Sequence, residues 1–498
     1  MYANTNLTPD LDVMVKHLED VARRAGLDFF PTIFELIDYN QLAEIASYGG
    51  FPTRYPHWRF GMEFDRIAKS YEYGLSIIYE MVINNNPCYA YLLRANSMVY
   101  QKTVVAHVLG HCDFFKNNYW FSKTNRKMLD SMANHATFVR KAIDSVGHDI
   151  VEDFLDVCLS LENLIDIHLP FNESAQTKEQ HNDAFEDPKH VSKLRSKSYM
   201  DKYVNPADFI SAQQKKIDED SVKMQHFPEN PEKDILKFLI AHAPLNAWQK
   251  KILEIVRDES YYFAPQGQTK IMNEGWATYW HSKMMTELAP LDGSEIVDYC
   301  DHYAGVVAAQ PGQLNPYKMG IELFRHIERR WDRGQFGLEY YMCDDPIKRK
   351  NWDLKSGLGK SKIFEARAIH NDVSFIDEFL DEDFCHMHKL FIYDFDKKNN
   401  EYVISNRNFK EIKNKFLKQL TNFGQPIIRV VDGNFKNRGE LLLLHEFDGD
   451  DLKSDFALET LKNLYKIWSR PVHIETISEN VKRRISFDGS AHHSEKVD

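Results

Sequence analysis

The period at which apolar residues recur changes once along this chain, and that change limits the available folds more than any other feature. Up to about residue 340 the spacing is helical. Leu11, Met14, Leu18 and Val21 follow a helix-start signal, Thr8-Pro9-Asp10, and the run stops at Gly26. Similar patterns occupy 65–84, 126–145, 149–167, 234–258 and 269–288, with few alternating runs among them. From about residue 386 the pattern becomes strand-like in KLFIYDF, EYVISN, PIIRVVDG and GELLLLHEF, with helical runs at 408–421 and 453–468. The expected class is therefore α+β: a large, mainly helical domain over 1–385, then a small β-β-α-β-β-α-β module over 386–480. The remainder, 481–498, reads as a polar tail that frays at its end. The polar stretch 171–232 reads as a surface excursion inside the helical domain rather than a boundary.

A chain of 498 residues exceeds one ordinary core, so two or three structural units are expected. Its net charge of −12 argues against a nonspecific nucleic-acid or anionic-membrane binder, because both need a basic footprint. Lys436 and Arg438 in NFKNR and the VKRR run at 481–484 are what remains for a nucleic-acid reading, which is the least supported. The opening MYANTNLTPDLDVM has no basic segment followed by an apolar run, and no stretch supplies about 18 uninterrupted apolar residues. Secretion and membrane spanning are not expected. Cys88, Cys112, Cys158, Cys300, Cys343 and Cys385 form no CxxC pair, which points away from a disulfide framework or thiolate zinc knuckle and toward reducing cytoplasm.

Chemistry concentrates in two segments. In TVVAHVLGHCDFFKNN, His107 and His111 stand four residues apart, so on a helix both imidazoles leave one face about 6 Å apart along the axis. This is a zinc-ligand spacing, although a polar helix face would give the same pattern. In KIMNEGWATYWHSKMM, Glu274 follows Asn273 on another expected helix. The pair plus a later Glu in an NExxA setting resembles the gluzincin class of zinc hydrolases. Two imidazoles and a carboxylate suit a divalent metal, zinc above all, and leave a fourth position open. His281 competes with Glu274, but an i to i+7 pair is offset by about 10 Å along a helix, too far to share an ion with ligands about 3 Å apart. His281 is therefore expected in a supporting or substrate-contact role, and Asp113 as a residue able to orient an imidazole.

One departure from that class matters. The residue after the first His of an HExxH helix is the general-base Glu, and here it is Val108. Catalysis of that type would need another base. Glu152 and Asp156 are the candidates, on a helix that also carries Glu162 and Asp166; the bland alternative is a solvated helix face. The segment SGLGKSK lacks the first Gly of a phosphate-binding loop, since Leu354 occupies that position.

Longer segments carry a more specific resemblance: YGGFPTRYPHWRFGMEFDR (48–66), SYEYGLSIIYEMVINNNPCYAYL (70–92), AHVLGHCDFFKNN (106–118), MNEGWATYWH (272–281), LNPYKMG (314–320) and IHNDVSFIDEFL (369–380). Together with VVDGNFKNRGELLLLH near the carboxy terminus, they are similar to the SpoVR family, named for stage V sporulation protein R. The resemblance implies a role in spore cortex formation or bacterial stress response, without an agreed reaction. It also implies a PrkA-type serine protein kinase and a von Willebrand-like protein as partners. Arg54, Tyr55, His57, Trp58 and Arg59 fall in the most recognisable block, either lining a pocket or tying helices together. Three readings follow: a metal protein with a degenerate site, an active amide hydrolase with another base, and a noncatalytic adaptor of the kinase system.

Overall fold

The computed structural model describes residues 7–72, 80–172, 206, 208–215, 227–308, 314–397 and 399–497, so most of the 171–232 excursion lies outside the described residues. The chain divides into two units, 1–145 with 262–424 and 146–261 with 425–498. No helix among the described residues is long and apolar enough to cross a membrane, and all six cysteines are free.

The first unit opens with helix α1, Pro9–Arg24, whose amino terminus is capped by the Thr8 hydroxyl and whose face of Leu11, Met14, Val15, Leu18 and Val21 is buried. It also holds strands that the helical spacing did not announce: β1 (Thr32–Ile37), β2 (Glu80–Ile83) and β3 (Cys88–Leu93), in the order β1-β3-β2. β3 runs parallel to β1 and antiparallel to β2. Alternate residues serve two cores: Phe34, Leu36, Ala90 and Leu92 enter the main one, while Ile37, Tyr91 and Leu93 enter a smaller one with Tyr262. A sheet buried on both faces reads as a continuous apolar run, which is why alternation was missing. The helix expected over 65–84 is instead α2, Trp58–Glu72, and 73–79 lie outside the described residues.

The main core is built on helices. They are α3 (Met98–Asn117), α4 (Lys270–Lys283), α5 (Glu295–Val306), α6 (Pro316–Asp332), α7 (Gly359–Ile369) and α8 (Asp372–Phe379). α3 is buried on nearly every side from Thr103 to Phe115, as befits a helix at the centre of a large unit. It packs against α4, which packs against α6. Both crossings are too close for a side chain. A Cβ on Gly110 of α3 would meet the Ala277 Cα of α4 at 2.7 Å, and one on Gly275 of α4 would overlap the Gly320 backbone of α6.

The strand-like carboxy-terminal stretch does not form one module beginning at 386. The hairpin β4 (Ile392–Asp396) and β5 (Glu401–Asn406) with helix α9 (Phe409–Leu420) belongs to the first unit, where α9 packs on α8. The second unit instead combines residues after 425 with helices from 146–261, around a five-stranded sheet of order β10-β9-β8-β7-β6. Its strands are β6 (Ile428–Phe435), β7 (Glu440–His445), β8 (Val472–Ser478), β9 (Val481–Phe487) and β10 (His492–Lys496). Helix α10, Ser454–Trp468, crosses between parallel β7 and β8, and its Asn463 donates to Ser160 of helix His148–Ser160 at 3.0 Å. The tail expected to fray after 481 is the sheet edge: β9 pairs with β8, and β10 with β9.

Candidate metal centre

His107 and His111 project from α3, with ring centroids 4.6 Å apart, and Glu274 faces them from α4. Each histidine Nε2 lies 3.5 Å from Glu274 Oε2. That distance is longer than a charge-assisted hydrogen bond, usually about 2.7–2.9 Å. It is close to the spacing of two ligands on one tetrahedral ion with bonds of about 2.0–2.2 Å. Among the described residues, these three form the group of potential ligands whose donor atoms converge.

The bond to Asn273 decides which ring nitrogen of His111 carries the proton. His111 Nδ1 lies 2.8 Å from Asn273 Oδ1, and an amide oxygen can only accept, so Nδ1–H donates and Nε2 presents a lone pair toward Glu274. His107 Nδ1 lies 2.8 Å from His281 Nδ1. With His107 donating and His281 accepting, the His107 Nε2 lone pair also points inward. Two nitrogen lone pairs and a carboxylate oxygen then meet in a buried space, a mutually repulsive arrangement that a cation relieves. The donor set therefore fits a divalent metal, with Asn273 and His281 fixing the ring orientations.

Other interactions hold the two ligand helices in place. Asp113 is buried, but its hydrogen bonds do not reach an imidazole, so the orienting role expected for it is not the one its geometry gives. It accepts from Trp276 Nε1 at 2.8 Å and from the Asp28 backbone N–H at 2.7 Å, and Arg367 lies 3.5 Å away. It thus ties α3 to α4. Burial raises its carboxyl to about 6 against the opposing pull of Arg367. At the start of α4, where Thr269 provides no side-chain cap, Asp372 accepts from Ile271 N–H at 2.8 Å and Met272 N–H at 2.9 Å. Burial raises this carboxyl to about 7. His281 also meets Tyr299 and Tyr303 of α5 edge-on, each with centroids 6.1 Å apart.

Val108 is fully buried in the main core, so no proton acceptor follows His107. Glu152 and Asp156 lie on helix His148–Ser160, in the second unit, whereas all three candidate ligands lie in the first. Arg54, Tyr55 and His57 are buried and Arg59 is exposed. The Arg54 guanidinium stacks over Tyr55 and Phe60 and donates to the Tyr48 carbonyl, while Arg59 N–H donates to His57 Nδ1. In SGLGKSK the Gly359 amide already donates to Asp332 at 2.8 Å, leaving that amide engaged by a carboxylate rather than offered to a phosphate. Arg484 pairs with Glu475 and Glu495, so the VKRR run is partly neutralised within its sheet.

The SpoVR like protein family matches residues 6–425, and the SpoVR-like C-terminal domain matches residues 426–479. The chain belongs to the SpoVR family. It is similar to the Escherichia coli (strain K12) protein named "Uncharacterized protein YcgB", with 30% identity over 504 residues, covering 94% of this chain and 92% of that protein. No solved structure matches. The division between the SpoVR family's two regions, at 425/426, falls beside the 424/425 boundary between the structural units.

Proposed function

We propose that this SpoVR-family chain is a metalloprotein that holds one divalent ion, zinc by its donor chemistry, on His107, His111 and Glu274. The observation that supports this most is the convergence of both Nε2 atoms on Glu274 Oε2 at 3.5 Å, with both opposite ring nitrogens engaged. Bound there, zinc would supply Lewis-acid polarisation of an oxygen ligand in its open position. His281 and Asn273 orient the imidazoles, and the Asp113–Trp276 and Asp372 contacts keep the helices in register.

The site binds a ligand better than it cleaves one. Val108 cannot take a proton, and general-base assistance is typically worth about 10²- to 10⁴-fold in rate. The noncatalytic reading is therefore preferred to a gluzincin-like amide hydrolase. On the strength of the family resemblance, the proposed setting is the bacterial cytoplasm, in stress response or spore cortex formation. The proposed partners there are a PrkA-type serine kinase and a von Willebrand-like protein.

Calorimetric titration of chelator-treated full-length protein with zinc tests the metal reading. About one ion should bind per chain in the unaltered protein, and His111→Ala should abolish binding while leaving the circular dichroism spectrum unchanged. Folded, unaltered protein that takes up no ion would overturn the proposal. Efficient peptide hydrolysis lost in His107→Ala would restore the hydrolase reading.

A further inference from the structure

A second site lies elsewhere in the first unit. A cavity of about 400 Å³ opens between the first turns of α6, the segment Phe384–Tyr393 and helix α9. This is within the range of small-molecule pockets, about 300–1,000 Å³. Its apolar lining comes from Phe384, Phe391, Ile412 and Phe416, and Phe384 and Ile412 are buried parts of the main core.

The charged groups around this lining are unbalanced. Lys318, Lys389 and Lys415 all line the cavity and are exposed, and none makes an ion pair among the described residues. The nearby acid, Glu322, is already paired with Arg325 at 2.9 Å. Three exposed lysines on separate elements thus line one partly apolar hollow. Lysine is a flexible point charge that suits an anionic head. Phosphate sites more often add an Arg fork, and no Arg lines this cavity.

We propose that this cavity binds a small amphipathic carboxylate, its hydrocarbon body against Phe384, Phe391, Ile412 and Phe416 and its head among Lys318, Lys389 and Lys415. The occupant would touch α6 at Met319, beside Gly320, whose backbone packs on Gly275 next to the candidate ligand Glu274. The carboxylate site does not depend on the metal being present.

Isothermal calorimetry on the full chain with decanoate, below its micelle concentration, tests the assignment. Decanoate should bind at one site, and methyl decanoate and decylammonium should bind at least about tenfold more weakly. The triple variant Lys318→Gln, Lys389→Gln, Lys415→Gln changes exposed side chains alone and should weaken decanoate by at least about tenfold with an unaltered melting temperature. Equal affinity for decanoate and its methyl ester, or unchanged decanoate binding by the triple variant, would overturn the proposal. Decyl phosphate binding more than about tenfold tighter than decanoate would overturn the choice of carboxylate.

Discussion

Gly110→Ala places one methyl group at the α3–α4 crossing, between the two histidines. The new Cβ would lie 2.7 Å from the Ala277 Cα and 3.3 Å from its Cβ. Carbon atoms pack best at about 3.5–4.0 Å, so the contact is short by about 1 Å, and the opposing atom is backbone that cannot rotate away. Replacing a helical glycine by alanine would otherwise stabilise by up to about 1 kcal/mol. Overpacking a core costs about 1–3 kcal/mol, so a net destabilisation of about 1–2 kcal/mol is expected. The metal should suffer more than the fold, because ligand distances are held to about 0.2 Å and the helices must part by several times that. Urea unfolding gives the first quantity and zinc calorimetry the second. Gly61→Ala is the control, since a Cβ there meets nothing within 4 Å; it should leave both unchanged or raise stability slightly. A Gly110→Ala protein as stable as the unaltered one, with the same zinc affinity, would refute the close-crossing argument.

Three further outcomes follow from the same geometry. Asn273→Ala and His281→Ala each remove a partner of a ligating imidazole and should weaken metal binding by about 10- to 100-fold, read by competition with a chromophoric chelator. Trp276→Phe deprives buried Asp113 of its indole donor and should cost about 1–3 kcal/mol in urea unfolding. Asp372, raised from 3.8 to about 7 by burial, holds its proton in the folded state to higher pH than in the unfolded one. Its contribution therefore favours folding less as pH rises between those two values and is level above them. Relative to Asp372→Asn, the unaltered protein should lose stability from pH 4 to about pH 7; a pH-independent difference would contradict the assignment.

The candidate ligands were legible because helical spacing is local: His107 and His111 fall on one face whatever surrounds the helix, and Glu274 sits in a recognisable context. Their supports were harder to read. Asn273 adjoins Glu274, yet that it reaches His111 depends on how α3 crosses α4. The glycines that permit the crossing, Gly110, Gly275 and Gly320, carry no chemistry to attract notice. The sequence suggests Asp113 as a residue able to orient an imidazole, but its partners Trp276 and Arg367 are distant in sequence. At the level of the fold, β3 was hidden by burial on both faces, while β9 and β10 were hidden by polarity, because VKRRISF and HHSEK lie toward a sheet edge. The change of period near 386 located strands correctly in EYVISN and GELLLLH. It could not show that, among the described residues, β4 and β5 pair only with each other while β6 to β10 form another sheet, since strand pairing is non-local.

The most direct measurement is the metal content of the purified full-length chain by inductively coupled plasma mass spectrometry, beside a His107→Gln, Glu274→Gln variant of matched circular dichroism. About one divalent ion per unaltered chain, and none in the variant, is the expected result. A folded, unaltered chain without any ion, or a variant that keeps a stoichiometric one, would contradict a metal centre at His107, His111 and Glu274.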